Sequence, residues 1–156
     1  MSVLHEALCA PLAGMLMRFC DMPVALVPGG TAFDQPDARH VGVTFNSHQE
    51  TYIIVSVHKE WLGKILTEYV GLQAPFDPAS EKDMAMEIGN VLAGQCHDVC
   101  RAGIKPDRIG PPLLLDAADA AELWSSTAEE NRFLIKSGDK NIGALVVHFP
   151  AGFSRW

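Results

Sequence analysis

Apolar residues recur with two different periods along the chain, and these periods predict its elements. Residues 41–45 and 51–57 are rich in β-branched and aromatic side chains, which favours two β-strands. The polar stretch NSHQE between them predicts a hairpin loop of four or five residues. Because residues 52–55 (Tyr-Ile-Ile-Val) are apolar on both faces, we predict that the second strand is central in its sheet.

Helical periodicity marks two segments in the middle of the chain. The first, HKEWLGKILTEYVGL, has apolar residues at spacings of one, three and four, which predicts an amphipathic helix that ends at Gly71. Its wide apolar stripe consists of Trp61, Leu62, Ile65, Leu66, Tyr69 and Val70. Ser80 is the predicted N-cap of the second helix, with Asp83 as the third-position acid of a capping box. This helix is predicted to run to about Arg101 and to close at Gly103.

The two ends of the chain complete the predicted fold. Residues 7–17 are nearly all apolar but fall short of the roughly 20 residues that cross a bilayer, and no positively charged segment precedes them. We therefore expect an N-terminal core helix in a cytoplasmic protein. Residues 123–136 and 141–149 are predicted to be extended, with SGDKN as a tight turn between them. The order predicts an α+β or mixed α/β fold, mainly an antiparallel sheet with helices packed on it, in a single domain over residues 1–156.

Composition and charge exclude several classes of function. With 48 % apolar and 20 % charged residues, the 156-residue chain can form a compact core. The formal net charge is -7 and no basic run occurs, which argues against nucleic-acid binding and against anionic surfaces. The four cysteines form no CxxC motif, so we expect reduced thiols that act as small core residues.

The second predicted helix has two sharply different faces. On a wheel of about 100° per residue, its polar side spans an arc of roughly 100°. That side holds Asp83, Glu87, Asn90, Gly94, His97, Asp98 and Arg101. The opposite side holds Met84, Ile88, Val91, Leu92, Cys96 and Val99, with Gln95 as its one polar member. Glu87 and Asn90 are therefore predicted to point away from the core, one turn apart.

The simplest interpretation of such polar residues is a solvated helix face, but two interior glycines argue for more. Each of Gly89 and Gly94 costs an exposed helix about 1 kcal/mol relative to alanine, which suggests close approach by another backbone. Gly94 follows Asn90 by one turn, so a partner could lie flat beside the amide. A carboxylate can pair with a partner's lysine, and a planar amide can hold a water from two sides. This combination suits phosphoryl transfer, in which positioning carries most of the catalysis.

These residues carry a resemblance to a known family. The stretch DMAMEIGN, followed by Pro112, matches the pattern Asp/Ser-x3-Glu-x2-Asn-x21-Pro, which is typical of the CheC/CheX/FliY phosphatases of bacterial chemotaxis. The match comprises Asp83, Glu87, Asn90 and Pro112, and the order of predicted elements is similar over most of the chain. Because only one such helix is present, the chain resembles the CheX type.

The resemblance implies a phosphatase that acts on a phosphorylated receiver domain of the CheY kind. Asn90 would orient the water that attacks the aspartyl phosphate, and Glu87 would pair with the receiver's lysine. Asp83, Gly94 and Pro112 would support the site. The resemblance further implies a homodimer and Mg²⁺ held by the receiver, with no cofactor bound by this chain itself.

The sequence leaves two other functions open. A CheX-like domain could keep the helix as a docking or scaffold surface in two-component signalling without turnover, or the fold could serve as a ligand sensor. Metal binding by Cys96, His97 and Cys100 is disfavoured, because His97 lies about 100° from Cys96 on the wheel. Trp61 is expected in the core, whereas Trp124 and Trp156 are candidates for an interface.

Overall fold

Six strands among the described residues form one antiparallel sheet. The computed structural model describes residues 13–14, 17–18, 23–29, 37–45, 48–100 and 110–148, with the backbone alone at residues 45, 48–51 and 96–100. The strands are β1 (Ala25–Pro28), β2 (Ala38–Phe45), β3 (His48–His58), β4 (Leu113–Leu115), β5 (Arg132–Ser137) and β6 (Lys140–His148). Their order across the sheet is β1-β5-β6-β3-β2-β4, and every neighbouring pair is antiparallel. The predicted antiparallel sheet is confirmed.

Strand β3 lies inside the sheet and buries both of its faces. It pairs with β2 on one side and with β6 on the other. Ile53, Val55 and Val57 contribute to one apolar cluster, whereas Ile54 contributes to a second cluster. Because successive side chains of a strand point to opposite faces, a strand covered on both sides is apolar at successive positions. The prediction of a central strand is therefore confirmed.

In the described part of the chain, three α-helices pack on the sheet. Helices α1 (Lys59–Ile65) and α2 (Pro78–Cys100) supply side chains to the larger cluster on one face. Helix α3 (Ala117–Ser126) supplies Trp124 to the smaller cluster on the other face. Trp61 is buried as predicted, and Trp124 is also buried, with 1 % of its surface exposed. The suggestion that Trp124 lines an interface is therefore wrong, whereas Trp156 lies outside the described residues.

The hairpin between β2 and β3 is tighter than predicted. Both strands extend beyond residues 41–45 and 51–57, and Phe45 pairs with His48. Two residues, 46 and 47, remain between the strands instead of the four or five expected for NSHQE. The register shifts between Thr44 and Phe45, which is typical of a β-bulge. Strand pairing uses backbone groups, so the polar side chains of residues 48–50 did not end the ladder.

The extended run predicted over residues 123–136 is wrong in its first part. Residues up to Ser126 belong to α3, and the strand begins only at Arg132. The side chain of Asp116 accepts a hydrogen bond from the Asp119 N–H at 2.8 Å, which caps the helix start. The motif D-x-x-D before an alanine-rich stretch was the sequence signal for this helix. The predicted SGDKN turn is confirmed, with Gly138 at φ 61° between β5 and β6.

The start of α2 also differs from the prediction. The helix begins at Pro78, and Asp77 accepts a hydrogen bond from the Ala79 N–H at 3.1 Å. Proline suits the first helical position because its missing N–H would have no helical partner there. Ser80 and Asp83 consequently lie within the helix, so the predicted capping box is wrong. Arg101 and Gly103, the predicted end, lie outside the described residues.

Little of the predicted N-terminal helix falls in the described part of the chain. Ala13, Gly14, Met17 and Arg18 have helical backbone, and Met17 is 47 % exposed, so its side chain is not part of the core. The rest of residues 7–17 lies outside the described residues. The same is true of Cys20 and of the side chains of Cys96, His97 and Cys100. None of the helices in the described ranges combines the length and the hydropathy needed to cross a bilayer.

Replacing Gly89 by alanine is expected to destabilise the fold. A Cβ atom at this position would lie 2.6 Å from Cγ1 and 3.0 Å from Cβ of Val41, which is fully buried on β2. Overpacking of this kind costs about 1–3 kcal/mol and outweighs the gain in helix propensity of about 1 kcal/mol. Urea unfolding should show a lower midpoint for Gly89→Ala, and an unchanged midpoint would contradict the close approach of α2 to β2.

Acidification is expected to weaken the fold through His40. Burial lowers the pKa of His40 below its usual 6.5, with His58 adding to the shift and Asp116 opposing it. Its Nδ1 lies 2.7 Å from the Ser56 hydroxyl oxygen in the buried sheet. Below about pH 6.5, His40 is protonated in the unfolded chain but stays neutral in the folded chain until the pH is lower. The free energy of unfolding therefore falls as the pH drops below that value. Unfolding of His40→Asn, measured from pH 7.5 to 5, should show a shallower loss than the wild type, and equal slopes would exclude His40 as the cause.

Candidate functional site

Helix α2 is fixed against the sheet by contacts on its inner side. Ala85, Ile88 and Leu92 are fully buried, and Gly89 lies against Val41. Near the start of the helix, Nη2 of Arg39 on β2 lies 3.0 Å from Oε1 of Glu81, and both side chains are largely shielded from solvent. Small residues and a cross-element ion pair thus hold the helix close to β2. Its outer face is consequently fixed in orientation.

The predicted polar pair lies on this outer face. Glu87 and Asn90 are both exposed, as is Asp83 one turn before Glu87. Residues three or four apart on a helix have Cβ atoms about 5–6 Å apart, so the carboxylate and the amide can act on one bound molecule. Ile88, between them in sequence, is fully buried, which fixes the opposite side of this turn in the core. Both groups are therefore free to reach another molecule.

Gly94 provides open space one turn beyond Asn90. A Cβ atom placed on Gly94 would meet no atom within 4 Å, in contrast to Gly89. Packing within the described part of the chain therefore gives no reason for glycine at position 94. The remaining physical reason is that a glycine lets another backbone come close.

Replacing Gly94 by alanine is expected to separate stability from binding. Alanine should raise the free energy of unfolding by about 0.5–1 kcal/mol, because the helix gains propensity and no clash arises. If Gly94 serves a partner, the same change should weaken binding of that partner. Urea unfolding together with a binding titration tests both effects. A variant that is more stable and binds as well as the wild type would remove Gly94 from the site.

An exposed apolar surface that the sequence did not predict borders the acidic residues. Tyr69 and Val70 were expected on the buried stripe of the preceding helix, but they are 60 % and 48 % exposed. After α1 the chain forms a π-helical turn, Leu66–Val70. The helical segment ends at Gly71, as predicted, and Gly71 has a φ of 84°. Hydrogen bonds from i to i+5 widen the turn, so residues beyond Leu66 leave the 3.6-residue periodicity.

A shallow cleft of about 250 Å³ joins this π turn to α2. One wall carries the side chains of Val70 and Leu72, and the other carries Asp83 and Glu87. The cleft thus brings together two carboxylates and an apolar wall, with no cation among the described residues that line it. It suits a ligand that presents a positive charge beside an apolar group.

Pro112, one of the predicted supporting residues, does not line this cleft. It is half-buried and immediately precedes β4, which pairs with β2 at the edge of the sheet. Helix α2 packs on β2, the strand with which β4 pairs. Its supporting role stays a prediction.

The geometry allows positioning chemistry. Asn90 offers one carbonyl acceptor and two N–H donors, and Glu87 offers up to two acceptor oxygens. No group of three or more His, Cys, Asp or Glu side chains in the described ranges is arranged to hold a metal ion. An amide and a carboxylate on a rigid helix can orient a water and anchor a cation, respectively.

Comparison with known proteins identifies the class of fold. Neither a family model nor a curated protein matches the sequence. Solved structures of CheX and CheC-like chemotaxis proteins match over nearly the whole chain. The architecture is therefore that of the CheC/CheX class, and the resemblance drawn from DMAMEIGN and Pro112 is confirmed at the level of the fold.

Three solved structures illustrate the likeness. The chemotaxis protein CheX from Vibrio vulnificus superposes with a TM-score of 0.67 at 11 % identity, covering 96 % of this chain and 100 % of that one. A chain of the CheX-CheY-BeF3-Mg²⁺ complex from Borrelia burgdorferi gives 0.59 at 16 % identity, with coverage of 92 % and 96 %. A chain of the FliG-FliM complex from H. pylori gives 0.60 at 8 % identity, with coverage of 93 % and 88 %. The TM-scores show a shared fold, and at identities this low the likeness shows the fold alone.

Proposed function

We propose that this protein is a phosphatase-type regulator of a phosphorylated CheY-like receiver domain. The observation that carries the proposal is the outward display of Glu87 and Asn90 on α2, within a CheX-like fold. The fold alone would not specify an activity, because one fold serves many functions. The exposed pair, in the spacing of the chemotaxis phosphatases, supplies the chemical argument.

In the proposed reaction, Asn90 holds a water in line with the phosphorus of the receiver's aspartyl phosphate. The water oxygen bonds to phosphorus while the bond from phosphorus to the aspartyl oxygen breaks. The electron pair of that bond leaves on the receiver's carboxylate, and the water's proton passes to the released inorganic phosphate. Glu87 pairs with a lysine of the receiver and fixes the docked orientation. This chain contributes position and electrostatics, which dominate phosphoryl-transfer catalysis.

The proposal also concerns the partner and the assembly. The solved CheX-CheY complex contains Mg²⁺ and BeF3, and we assign the corresponding Mg²⁺ to the receiver that this protein binds. We further propose a homodimer and a cytoplasmic location, where receiver domains are phosphorylated. Sedimentation equilibrium on the purified protein tests the dimer directly.

A dephosphorylation assay tests the activity. CheY-like receivers are phosphorylated with a small-molecule phosphodonor, the donor is removed, and loss of the aspartyl phosphate is followed with and without this protein. Acceleration of at least one receiver at substoichiometric protein is the expected result. No acceleration of any receiver in a panel from chemotaxis and other two-component systems would reject the enzymatic proposal.

A non-catalytic docking module is the second candidate function. The observation that favours it is that the same fold occurs in a chain of the FliG-FliM complex, which is an assembly of two proteins. This alternative predicts binding of a receiver without faster phosphate loss. A titration with a beryllofluoride-loaded receiver, run beside the dephosphorylation assay, separates binding from turnover.

A further inference from the structure

The cleft between the π turn and α2 extends beyond the residues that the sequence motif names. Val70 and Leu72 are large apolar side chains that remain 48 % and 39 % exposed. Both line the cleft that Asp83 and Glu87 close from the other side. The apolar wall is thus continuous with the carboxylate of the proposed site.

The backbone of the apolar wall departs from ordinary helix geometry. The N–H groups of both Gly71 and Leu72 donate to the Leu66 carbonyl, the latter at 2.9 Å, which closes the widened turn. An uninterrupted α-helix would have continued the stripe of Ile65 and Leu66 and turned Tyr69 and Val70 towards the core. The π turn, a feature frequent at functional sites, instead presents them outward.

From this geometry we propose that Val70 and Leu72 form a docking shelf for the phosphorylated receiver. The shelf is expected to receive an apolar side chain of the receiver that lies next to the lysine paired with Glu87. This inference rests on the proposed function and adds a surface that determines which receivers are bound.

Charge identifies the kind of occupant. The described side chains that line the cleft include two carboxylates and no lysine or arginine, so an anionic segment would be repelled there. A purely apolar partner would leave Asp83 and Glu87 unpaired on burial, which is unfavourable. A partner surface with a cation beside an apolar residue can pair the cation with the carboxylates of one wall and pack the apolar residue against the other wall. The shelf therefore contributes affinity and selectivity, whereas Asn90 acts on the phosphate.

The test compares two single replacements of exposed apolar residues. Val70→Ser removes one of the two exposed apolar side chains of the wall without changing charge, and Leu113→Ser, at a residue 59 % exposed on β4, is the matched control outside the cleft. Binding is measured with a beryllofluoride-loaded receiver that the wild-type protein binds. Val70→Ser should raise the dissociation constant about tenfold, as truncation of a buried interface residue does, and Leu113→Ser should leave it unchanged. Thermal unfolding of both variants confirms that each remains folded.

The pattern of outcomes separates this inference from the proposed function. With saturating phosphorylated receiver, the maximal rate of Val70→Ser should match that of the wild type, since the shelf acts in binding. If Val70→Ser binds as tightly as Leu113→Ser while wild-type turnover persists, the shelf is wrong and the phosphatase proposal stands. If no receiver is bound or dephosphorylated by the wild-type protein, both are rejected.

Discussion

Replacement of Asn90 by alanine is expected to return phosphate loss from the receiver to the receiver's own rate. The proposed task of the amide is to hold water in line, and removal of one such positioned polar group typically costs about 100-fold or more in rate. Asn90 is exposed on α2, so its truncation leaves the core intact. Loss of activity with preserved binding, measured with phosphorylated and beryllofluoride-loaded receiver, is the expected result.

Two companion variants sharpen the Asn90 experiment. Asn90→Gln keeps the amide but moves it outward by one methylene. If Asn90 positions the water, the dephosphorylation rate of Asn90→Gln should be close to that of Asn90→Ala. Glu122→Ala truncates an exposed residue of α3, on the opposite face of the sheet, and should keep the wild-type rate. An Asn90→Ala protein that dephosphorylates like the wild type would reject the assigned mechanism.

The orientation of the site helix could be predicted from the sequence because one helix follows one period. Met84, Ile88 and Leu92 are buried and Glu87 and Asn90 are exposed, as the wheel required. The apolar residues themselves set this rotation, since turning the helix would expose them to water. Period and side-chain chemistry therefore sufficed to place the polar pair on the outer surface.

The shelf beside that pair could not be predicted in the same way. Its existence depends on where the chain changes from α to π geometry after Ile65, which the helical period of the sequence does not encode. Tyr69 and Val70 satisfy the helical period in the sequence, so the period alone assigned them to the core. Only the three-dimensional packing against α2 shows that the stripe ends at Leu66.

The missed helix α3 has a different cause. Its residues 117–126 carry a capping aspartate and several alanines, which favour a helix, but the following apolar residues led to one extended prediction. The small apolar face of α3 buries Ala120 and Trp124. Short helices with so few buried residues give a weak periodic pattern, so the cap at Asp116 was the more informative feature.

Reversing the charge of Glu87 is expected to abolish stable binding of the receiver. Glu87→Lys would place a lysine opposite the receiver's lysine, replacing an attraction by a repulsion within the docked surface. Loss of one partner of a close charge pair in an interface costs about 2–5 kcal/mol, so the dissociation constant should rise by at least about 30-fold. The effect should shrink as ionic strength increases, because salt screens exposed charges. Titration with beryllofluoride-loaded receiver at low and high salt measures both.

The matched control for this charge reversal is Glu122→Lys. It raises the formal net charge of -7 by the same two units but lies on α3, away from the cleft. Equal weakening by the two variants would mean that overall charge, and not the Glu87 contact, attracts the receiver. A receiver whose lysine is replaced by glutamate should recover binding to Glu87→Lys, since exchanging both charges restores the attraction. Recovery that is specific to this pair would assign Glu87 to docking and leave water positioning to Asn90.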